Sequence, residues 1–411
     1  MHIRQGVILV GGRGTRLGAL TRATPKPMLE VAGRPFVEHV IGQLTRFGLT
    51  DILLLAGFHG EAVRDAYHGR EMFGAAVSVV VEPDVLGTAG GLKHFASHLQ
   101  PVFVMTNGDT LFDADLVPLL QLATRPDRTA TLLVRAVDDA RRFGRIDLLA
   151  DGRVAGFVEK SAIQSEGRAL INAGTYLLRR DAVLAAIDRQ PCSFETDVLP
   201  RLVAARTLSA IEASGYFVDI GIPDSLDGAR RELHRARTRP AAFLDRDGVI
   251  NHDRGYTHRT EDLSFVDGAA AAVRTLNRAG YYVFVITNQA GVARGVYDEA
   301  TVRRFHAHMQ HLLIADGAHV DAFYYCPHHP AGAVAAYARA CDCRKPAAGM
   351  LARAAQDWPI DRARSFVIGD QPHDLDAGRA FGIRGYRFDG GDLALTVDTI
   401  LLAEQKATLT P

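Results

Sequence analysis

Near the middle of the chain, Phe243–Val249 reads FLDRDGV, a short apolar run ending in two aspartates one residue apart and then a glycine. A strand that stops at Asp245-Arg246-Asp247-Gly248 offers one carboxylate as a nucleophile for phosphorus and a second as its proton carrier. The glycine lets the backbone turn sharply behind them. Such residues belong at the carboxyl edge of an open α/β sheet, where ligands bind. Position adds a second constraint: the chain has 411 residues, and more than half precede Asp245. At about 100–200 residues per domain, there is room for a separate domain ahead of this strand. That leading stretch opens on a different phosphate-type motif, Gly11-Gly12-Arg13-Gly14-Thr15-Arg16-Leu17. The pattern predicts two catalytic α/β domains joined end to end.

Charge narrows the partners. Lys plus Arg and Asp plus Glu each total 47, and 47% of residues are hydrophobic, as in ordinary soluble proteins. Nothing in that balance supports nucleic-acid or membrane-surface binding. The apolar run Val7–Val10 is too short for a signal peptide or a spanning helix, so the expectation is a cytoplasmic protein with no membrane partner. Of the 4 cysteines, Cys326, Cys341 and Cys343 crowd together while Cys192 stands apart, which suits a metal site in a reducing compartment better than disulfides.

Short apolar runs alternate with amphipathic stretches throughout. Gly6–Val10, Ile52–Ala56, Val77–Val81, Val102–Thr106 and Thr131–Val134 read as strands, and Pro35–Phe47 and Glu61–Tyr67 have helical spacing. Ala242–Leu244, Tyr282–Thr287 and Ser365–Ile368 each end in polar residues. This predicts doubly wound, mostly parallel sheets with helices on both faces. Ser225–Arg237 reads as a basic amphipathic helix, broken by Thr238-Arg239-Pro240, so the boundary is expected near 238, giving domains 1–237 and 238–411.

In the first domain the three glycines of GGRGTRL allow backbone N–H groups to approach a phosphate chain closely, and Arg16 can neutralise it. The spacing is neither the dinucleotide fingerprint nor a P-loop. Thr24-Pro25-Lys26-Pro27-Met28 then fixes one lysine between two prolines, a positioned point charge for phosphate. Together these residues resemble the sugar-nucleotidyltransferase family over about residues 4–230. Later landmarks follow in order: Glu82-Pro83 with Leu86–Gly90, Asn107-Gly108-Asp109, Phe157–Lys160, Asn172-Ala173-Gly174 and Val218–Gly221. The resemblance implies a Rossmann-like (GT-A-like) domain in which Gly11, Gly12, Gly14, Thr15, Gly87 and Thr88 hold the nucleotide. It places Arg16 and Lys26 on the phosphates, Mg²⁺ on Asp109 and Asp219, and Glu159, Lys160 and Asn172 toward the sugar phosphate. In-line attack of a sugar 1-phosphate on a nucleoside triphosphate needs charge neutralisation and alignment rather than a nucleophilic side chain, which suits these residue types. The short form without a repeat tail looks like the subgroup using GTP with mannose-like or heptose 1-phosphates. No single residue in the sequence reads the base.

In the second domain, Asp245–Val249 resembles the first motif of the haloacid-dehalogenase (HAD) phosphatases, covering about residues 240–400. Ile286–Gln289, Arg344-Lys345-Pro346 and Gly369-Asp370 with Asp374 follow in order. The resemblance implies Asp245 as nucleophile, Asp247 as general acid–base, and Thr287 and Lys345 on the transferring phosphoryl group. Mg²⁺ would be held by Asp245, the Asp247 main-chain carbonyl and Asp370. Cys326-Pro327-His328 and Cys341-Asp342-Cys343 supply three thiolates and an imidazole, a closed tetrahedral set suited to structural Zn²⁺; buried free cysteines are the alternative, and His329 an alternate ligand. His306, His308 and His311 read as surface or packing residues. The zinc-clipped loop is similar to that of the heptose-bisphosphate phosphatases and related histidinol-phosphate phosphatases. That likeness implies substrate contacts from Asp253, Arg254, Gly255, Tyr256, Asn288, Gln289, Ala290 and Arg344. One departure is Gln371, where heptose phosphatases often have lysine; it bears on affinity or anomer preference, not reaction type.

Jointly the halves imply a bifunctional enzyme that removes the 7-phosphate of a heptose 1,7-bisphosphate and activates the resulting 1-phosphate with a nucleoside triphosphate. Another sugar with a histidinol-phosphate or general phosphatase is the alternative enzyme reading. A non-catalytic half would require lost groups, and Arg16, Lys26, Asp109, Asp219, Asp245, Asp247, Lys345 and Asp370 are all present.

Overall fold

A computed structural model describes residues 3–12, 14–138, 145–158 and 167–409; Arg13, Glu159 and Lys160 lie outside the described residues. The chain divides into two compact units, one of residues 1–45 and 49–236 and the other of 237–411 with 46–48.

The first unit is built on a mixed sheet. Strands β1 (Gln5–Leu9), β2 (Asp51–Ala56), β3 (Ala75–Val81) and β4 (Val102–Asn107) run parallel in the order β3-β2-β1-β4. β1 and β2 are near-continuous apolar runs because α1 (Phe36–Thr45), α2 (Gly60–Tyr67), α3 (Gly87–His94) and neighbouring segments leave both faces of such a sheet dry. Beyond β4 the pairing turns antiparallel. β5 (Thr110–Ala114) and β6 (Ala130–Val137) precede β7 (Ala169–Arg179), and β7 pairs antiparallel with both β4 and β6. Within this unit the expectation of a mostly parallel sheet therefore holds for β3-β2-β1-β4. β7 escapes a reading by apolar runs because Asn172 and Gly174 interrupt it where its register shifts. β8 (Leu208–Glu212) and β9 (Gly215–Asp219) follow, the latter paired with β5 so that Asp219 lies opposite Thr110. Val7, Phe103, Met105, Tyr176 and Phe194 belong to the core of this unit.

Helix α4 (Pro223–Arg237) leads to the second unit, a parallel five-stranded sheet. Its strands are β10 (Ala241–Leu244), β11 (Tyr282–Asn288), β12 (Ala322–Cys326), β13 (Phe366–Gly369) and β14 (Arg384–Arg387), in the order β12-β11-β10-β13-β14. β10 is central, and its register sets Leu244 beside both Val285 and Ile368. Asp245, Thr287 and Asp370 consequently leave the sheet at one edge, with Cys326 opposite Asn288. Helices α5 (Ala269–Arg278), α6 (Glu299–Ala315), α7 (Gly349–Asp357), α8 (Pro372–Phe381) and α9 (Leu393–Leu409) accompany the sheet. Leu244, Val285, Phe305, Ile368 and Leu393 share one core.

Candidate active sites

In the second unit, Lys345 is the hub. Its Nζ lies 2.7 Å from Asp245 Oδ1 and 2.7 Å from Asp374 Oδ1, and donates to Ile286 O at 2.8 Å. All three side chains are almost fully removed from solvent. Burial alone would lower the Lys345 pKa, but the two carboxylates outweigh it and the value is raised. Asp245 is pushed up to about 7, chiefly by burial, with Asp374 and Asp247 adding and Lys345 opposing. A buried carboxyl beside two like charges is poised near neutrality, where a cation would bring out the carboxylate. Gly248, at φ +86°, turns the chain so closely beneath Asp370 that a Cβ there would lie 2.7 Å from Asp370 Oδ2.

Carboxylate oxygens of Asp245, Asp370 and Asp374 lie within 4.8 Å of one another. Asp374 serves Lys345 and, through its other oxygen, the Gln371 backbone N–H, where the two residues form a capping box at the start of α8. Asp370 is different: its Oδ1 is buried without a hydrogen-bond partner among the described residues, while Oδ2 accepts from Gln371 Nε2 at 2.9 Å. Asp245 and Asp370 thus fit a hard cation, with the orphaned oxygen as the natural ligand. Gln371, at the position where a lysine was anticipated, is occupied with orienting that ligand.

Asp247 stands one turn of backbone away. Arg246 grips its carboxylate with Nε and Nη2 at 2.7–3.2 Å, Asn251 Nδ2 donates at 3.0 Å and Gln289 Nε2 at 3.1 Å. Gln289 also donates to Thr287 Oγ1 at 2.8 Å and accepts from Tyr297 OH at 2.7 Å. Asn288 exchanges two hydrogen bonds with the Lys345 backbone at 3.1 and 3.2 Å. Ala290 opens a single helical turn, Ala290–Ala293. Asp253, Arg254, Gly255 and Tyr256 form a loop closed by Asp253 Oδ1 accepting from Gly255 N at 2.8 Å; Tyr256, at φ +53°, is exposed beneath the Arg294 guanidinium, 5.7 Å from its ring centroid.

The sulfur cluster is equally definite. Cys343 Sγ lies 3.2 Å from Cys326 Sγ and 3.3 Å from both Cys341 Sγ and His328 Nδ1; Cys326 Sγ is 3.4 Å from Cys341 Sγ and 3.8 Å from His328 Nδ1. A zinc ion with Zn–S of about 2.3 Å requires ligand separations of roughly 3.8 Å, so this is a slightly contracted tetrahedron that fits it. The Cys343 thiol is held well above its usual range by its hydrogen bond to Cys326 and by burial, a penalty that a bound cation removes. His329 is turned away, its Nδ1 accepting from Ala331 N. Arg344 Nη1 donates to His328 O at 3.3 Å, tying the cluster to the residue before Lys345.

In the first unit, Gly108 N donates to Leu9 O at 2.9 Å, bringing Asp109 beside the loop of Gly11 and Gly12. Lys26, 5% exposed, places Nζ 2.5 Å from Asp109 Oδ2 and 4.0 Å from Asp219 Oδ1. Thr110 Oγ1 reaches both aspartates, at 3.3 and 3.5 Å. A Cβ on Gly221 would meet Asp219 Oδ1, Arg16 Nη2 and Lys26 Nζ within 3.2 Å, so all these groups converge. Two carboxylates and an adjacent lysine fit Mg²⁺ shared with substrate phosphates. Gly14, at φ +61°, starts the 3₁₀ turn Thr15–Thr21. Gly87 approaches the Cys192 carbonyl so closely that no side chain fits, and Thr88 Oγ1 accepts from Phe194 N at 2.7 Å. Asn172 uses both ends of its amide locally, on Tyr176 OH and Gly174 N.

The arrangement also brings in residues to which the sequence reading gave no role at a site. Arg246 and Asn251 contact Asp247, with His306 behind Arg246 and Tyr297 behind Gln289, and Glu82 adjoins the glycine loops: a Cβ on Gly57 would lie 2.9 Å from Gly11 Cα and 3.4 Å from Glu82 Oε2. Arg246 had a visible signal, a cation between the two aspartates of one motif, and Glu82 another, its place in a family landmark.

Residues 5–236 match the nucleotidyl transferase family and residues 342–392 match the HAD-hydrolase-like family. A D-glycero-beta-D-manno-heptose-1,7-bisphosphate 7-phosphatase of Rhodopseudomonas palustris is 50% identical over 174 residues, 42% of this chain and 97% of that protein. The enzyme of that name from Escherichia coli (strain K12) is 43% identical over 148 residues, 36% of this chain and 78% of that protein. The solved structure of HddC from Yersinia pseudotuberculosis covers 57% of this chain and 100% of its own, at 29% identity and a TM-score of 0.49. The chain therefore belongs to the nucleotidyl transferase family through its first unit and to the family of HAD-type heptose-bisphosphate phosphatases through its second.

Proposed function

We propose that this bifunctional enzyme removes the 7-phosphate from D-glycero-D-manno-heptose 1,7-bisphosphate and joins the resulting heptose 1-phosphate to GMP from GTP. The carrying observation is that a nucleotidyl transferase shares one chain with a close relative of heptose-bisphosphate phosphatases, so one reaction's product is the other's acceptor. GDP-heptose made in this way in the cytoplasm would feed surface polysaccharide or glycoprotein assembly. No helix among the described residues is long and apolar enough to cross a membrane.

In the phosphatase step, the Asp245 carboxylate attacks phosphorus as the bond to the sugar oxygen breaks, and Asp247 gives that oxygen its proton. Water then attacks the aspartyl phosphate, passing a proton to Asp247 and releasing phosphate. Thr287 and Lys345 hold the phosphoryl oxygens. Mg²⁺ on Asp245, Asp370 and the Asp247 carbonyl would offset the charge of the dianionic substrate. Zn²⁺ on Cys326, His328, Cys341 and Cys343 would fix the loop carrying Arg344 and Lys345. In the transfer step an oxygen of the sugar 1-phosphate attacks the α-phosphorus in line, with pyrophosphate leaving; Arg16 and Lys26 neutralise the phosphates, and Asp109 and Asp219 would share Mg²⁺ with them.

Glu82 supports the choice of guanine. Its carboxyl is half-buried between Gly57 and Gly91, Gly57 packing on Gly11 of the loop assigned to the nucleotide, and burial raises its pKa. A carboxylate there can accept from both N1–H and the 2-amino group of guanine, an edge that uracil, thymine and cytosine lack.

The test supplies the purified chain with the bisphosphate and each nucleoside triphosphate in turn, following phosphate and pyrophosphate separately. With GTP, phosphate should appear first and pyrophosphate after a lag. Asp245→Asn should abolish both from the bisphosphate but leave pyrophosphate release from added heptose 1-phosphate; Asp109→Asn should abolish pyrophosphate release alone. Equal rates with all triphosphates would refute the guanine assignment. Because the relatives' names specify the β anomer, offering both anomers reads which one this chain takes.

A further inference from the structure

We propose that Arg246 is the positioning residue of the phosphatase: it holds the carboxylate plane of Asp247 in line with the departing oxygen. This rests on the assignment of Asp245 as nucleophile and Asp247 as proton donor.

Arg246 is 1% exposed and is among the largest fully buried side chains of the molecule. An arginine is rarely buried without a specific task for each of its donors. Two of its nitrogens, Nε and Nη2, meet the two oxygens of Asp247 in fork geometry, the closest pair at 2.7 Å. The remaining contacts anchor the fork from behind. Nη2 also donates to Thr257 O at 2.7 Å, Nη1 faces His306 Nε2 at 3.3 Å, and the guanidinium carbon sits 4.6 Å from the Phe305 ring centroid. His306 is itself clamped, its ring stacked on Phe323 at 4.7 Å and 15°. Burial keeps that imidazole neutral and able to accept the arginine's proton-bearing nitrogen.

Asn251 and Gln289 fill the outer positions of the two Asp247 oxygens. Every acceptor position of the carboxylate is therefore taken, and a proton can enter only where one neutral amide yields. Gln289 is the one tied to Thr287 and Tyr297 on the substrate side. Its displacement by the leaving oxygen would free one lone pair of Asp247 while Arg246 keeps the plane fixed. Proton delivery through a pre-aligned carboxylate needs such a fixed partner.

The test uses the full chain and two phosphate monoesters. Glycerol phosphate has an alkoxide leaving group that must be protonated, whereas the phenolate of p-nitrophenyl phosphate leaves unprotonated. kcat/KM reports only steps up to departure of the leaving group, so later hydrolysis of the aspartyl phosphate does not enter. General acid help is commonly worth about 10²–10⁴ in rate. Arg246→Lys is expected to lower kcat/KM for the alkyl ester about 10–100-fold and for the aryl ester by less than about threefold. His306→Phe, which keeps the ring stack and removes the acceptor, should show the same selectivity in weaker form and stands in should the lysine variant not fold. Adding either substitution to Asp247→Asn should cost nothing more with the alkyl ester, since Arg246 and His306 act only through the Asp247 proton. Equal losses with both esters, or additive losses in the double variant, would mean Arg246 is merely structural and overturn the proposal. Asp245→Asn separates the underlying reading: if it retains activity on both esters, the nucleophile assignment fails instead.

Discussion

Lys345 shows how one buried cation can serve two purposes. Placed between Asp245 and Asp374, it favours the charged form of the proposed nucleophile and screens it from a neighbour of the same sign. His306 shows the opposite economy, an imidazole whose pKa burial and Arg246 drive well below its ordinary value. A histidine that stays neutral in the folded state while the unfolded chain protonates loses stability as pH falls below its unfolded value of about 6.5. The cost approaches roughly 1.4 kcal/mol per pH unit until the folded value is reached. Replacing it should flatten that slope: urea denaturation between pH 7.5 and 5 is expected to show a smaller loss for His306→Gln than for the parent chain. At this scale Asp245, Asp247, Thr287, Lys345 and Asp370 were legible because each closes an apolar run or joins a motif. His306 was not, since it shares a helix with half-buried His308, and only tertiary packing turns it against Arg246.

Elements were legible in proportion to how dry their surroundings are. β1, β2 and β4 are buried on both faces and read as apolar runs, and β10, β11 and β13 do likewise. β12, with Tyr324 and Tyr325 offering hydroxyls to Asp357 and Glu299, and β14, with Arg384 and Tyr386 on Glu404, carry polar tips that disguise them. β7 was hidden by its register shift. The turn after β10 carries a strong local demand. Gly248→Ala would meet both a positive φ and a carboxylate oxygen 2.7 Å from the new Cβ. Strain of that kind costs of order 1–3 kcal/mol and would push Asp370 out of place. Phosphate release should fall at least tenfold, while pyrophosphate release from heptose 1-phosphate and GTP is retained; equal loss of both activities would contradict it.

At the scale of the molecule, each unit owns a core and a complete set of charged side chains, so division of labour was readable from two motifs more than 230 residues apart. The same motifs carry an economy of metal. Both units have carboxylates suited to magnesium, but among the described residues only the second carries a Cys/His clip, and it lies directly before Lys345. Nutrient supply would thus act on this chain unevenly. A cell starved of zinc would keep its transferase intact yet idle for want of acceptor, and should accumulate the heptose bisphosphate; an unchanged bisphosphate pool in zinc-poor medium would show that the clip does not govern the flux.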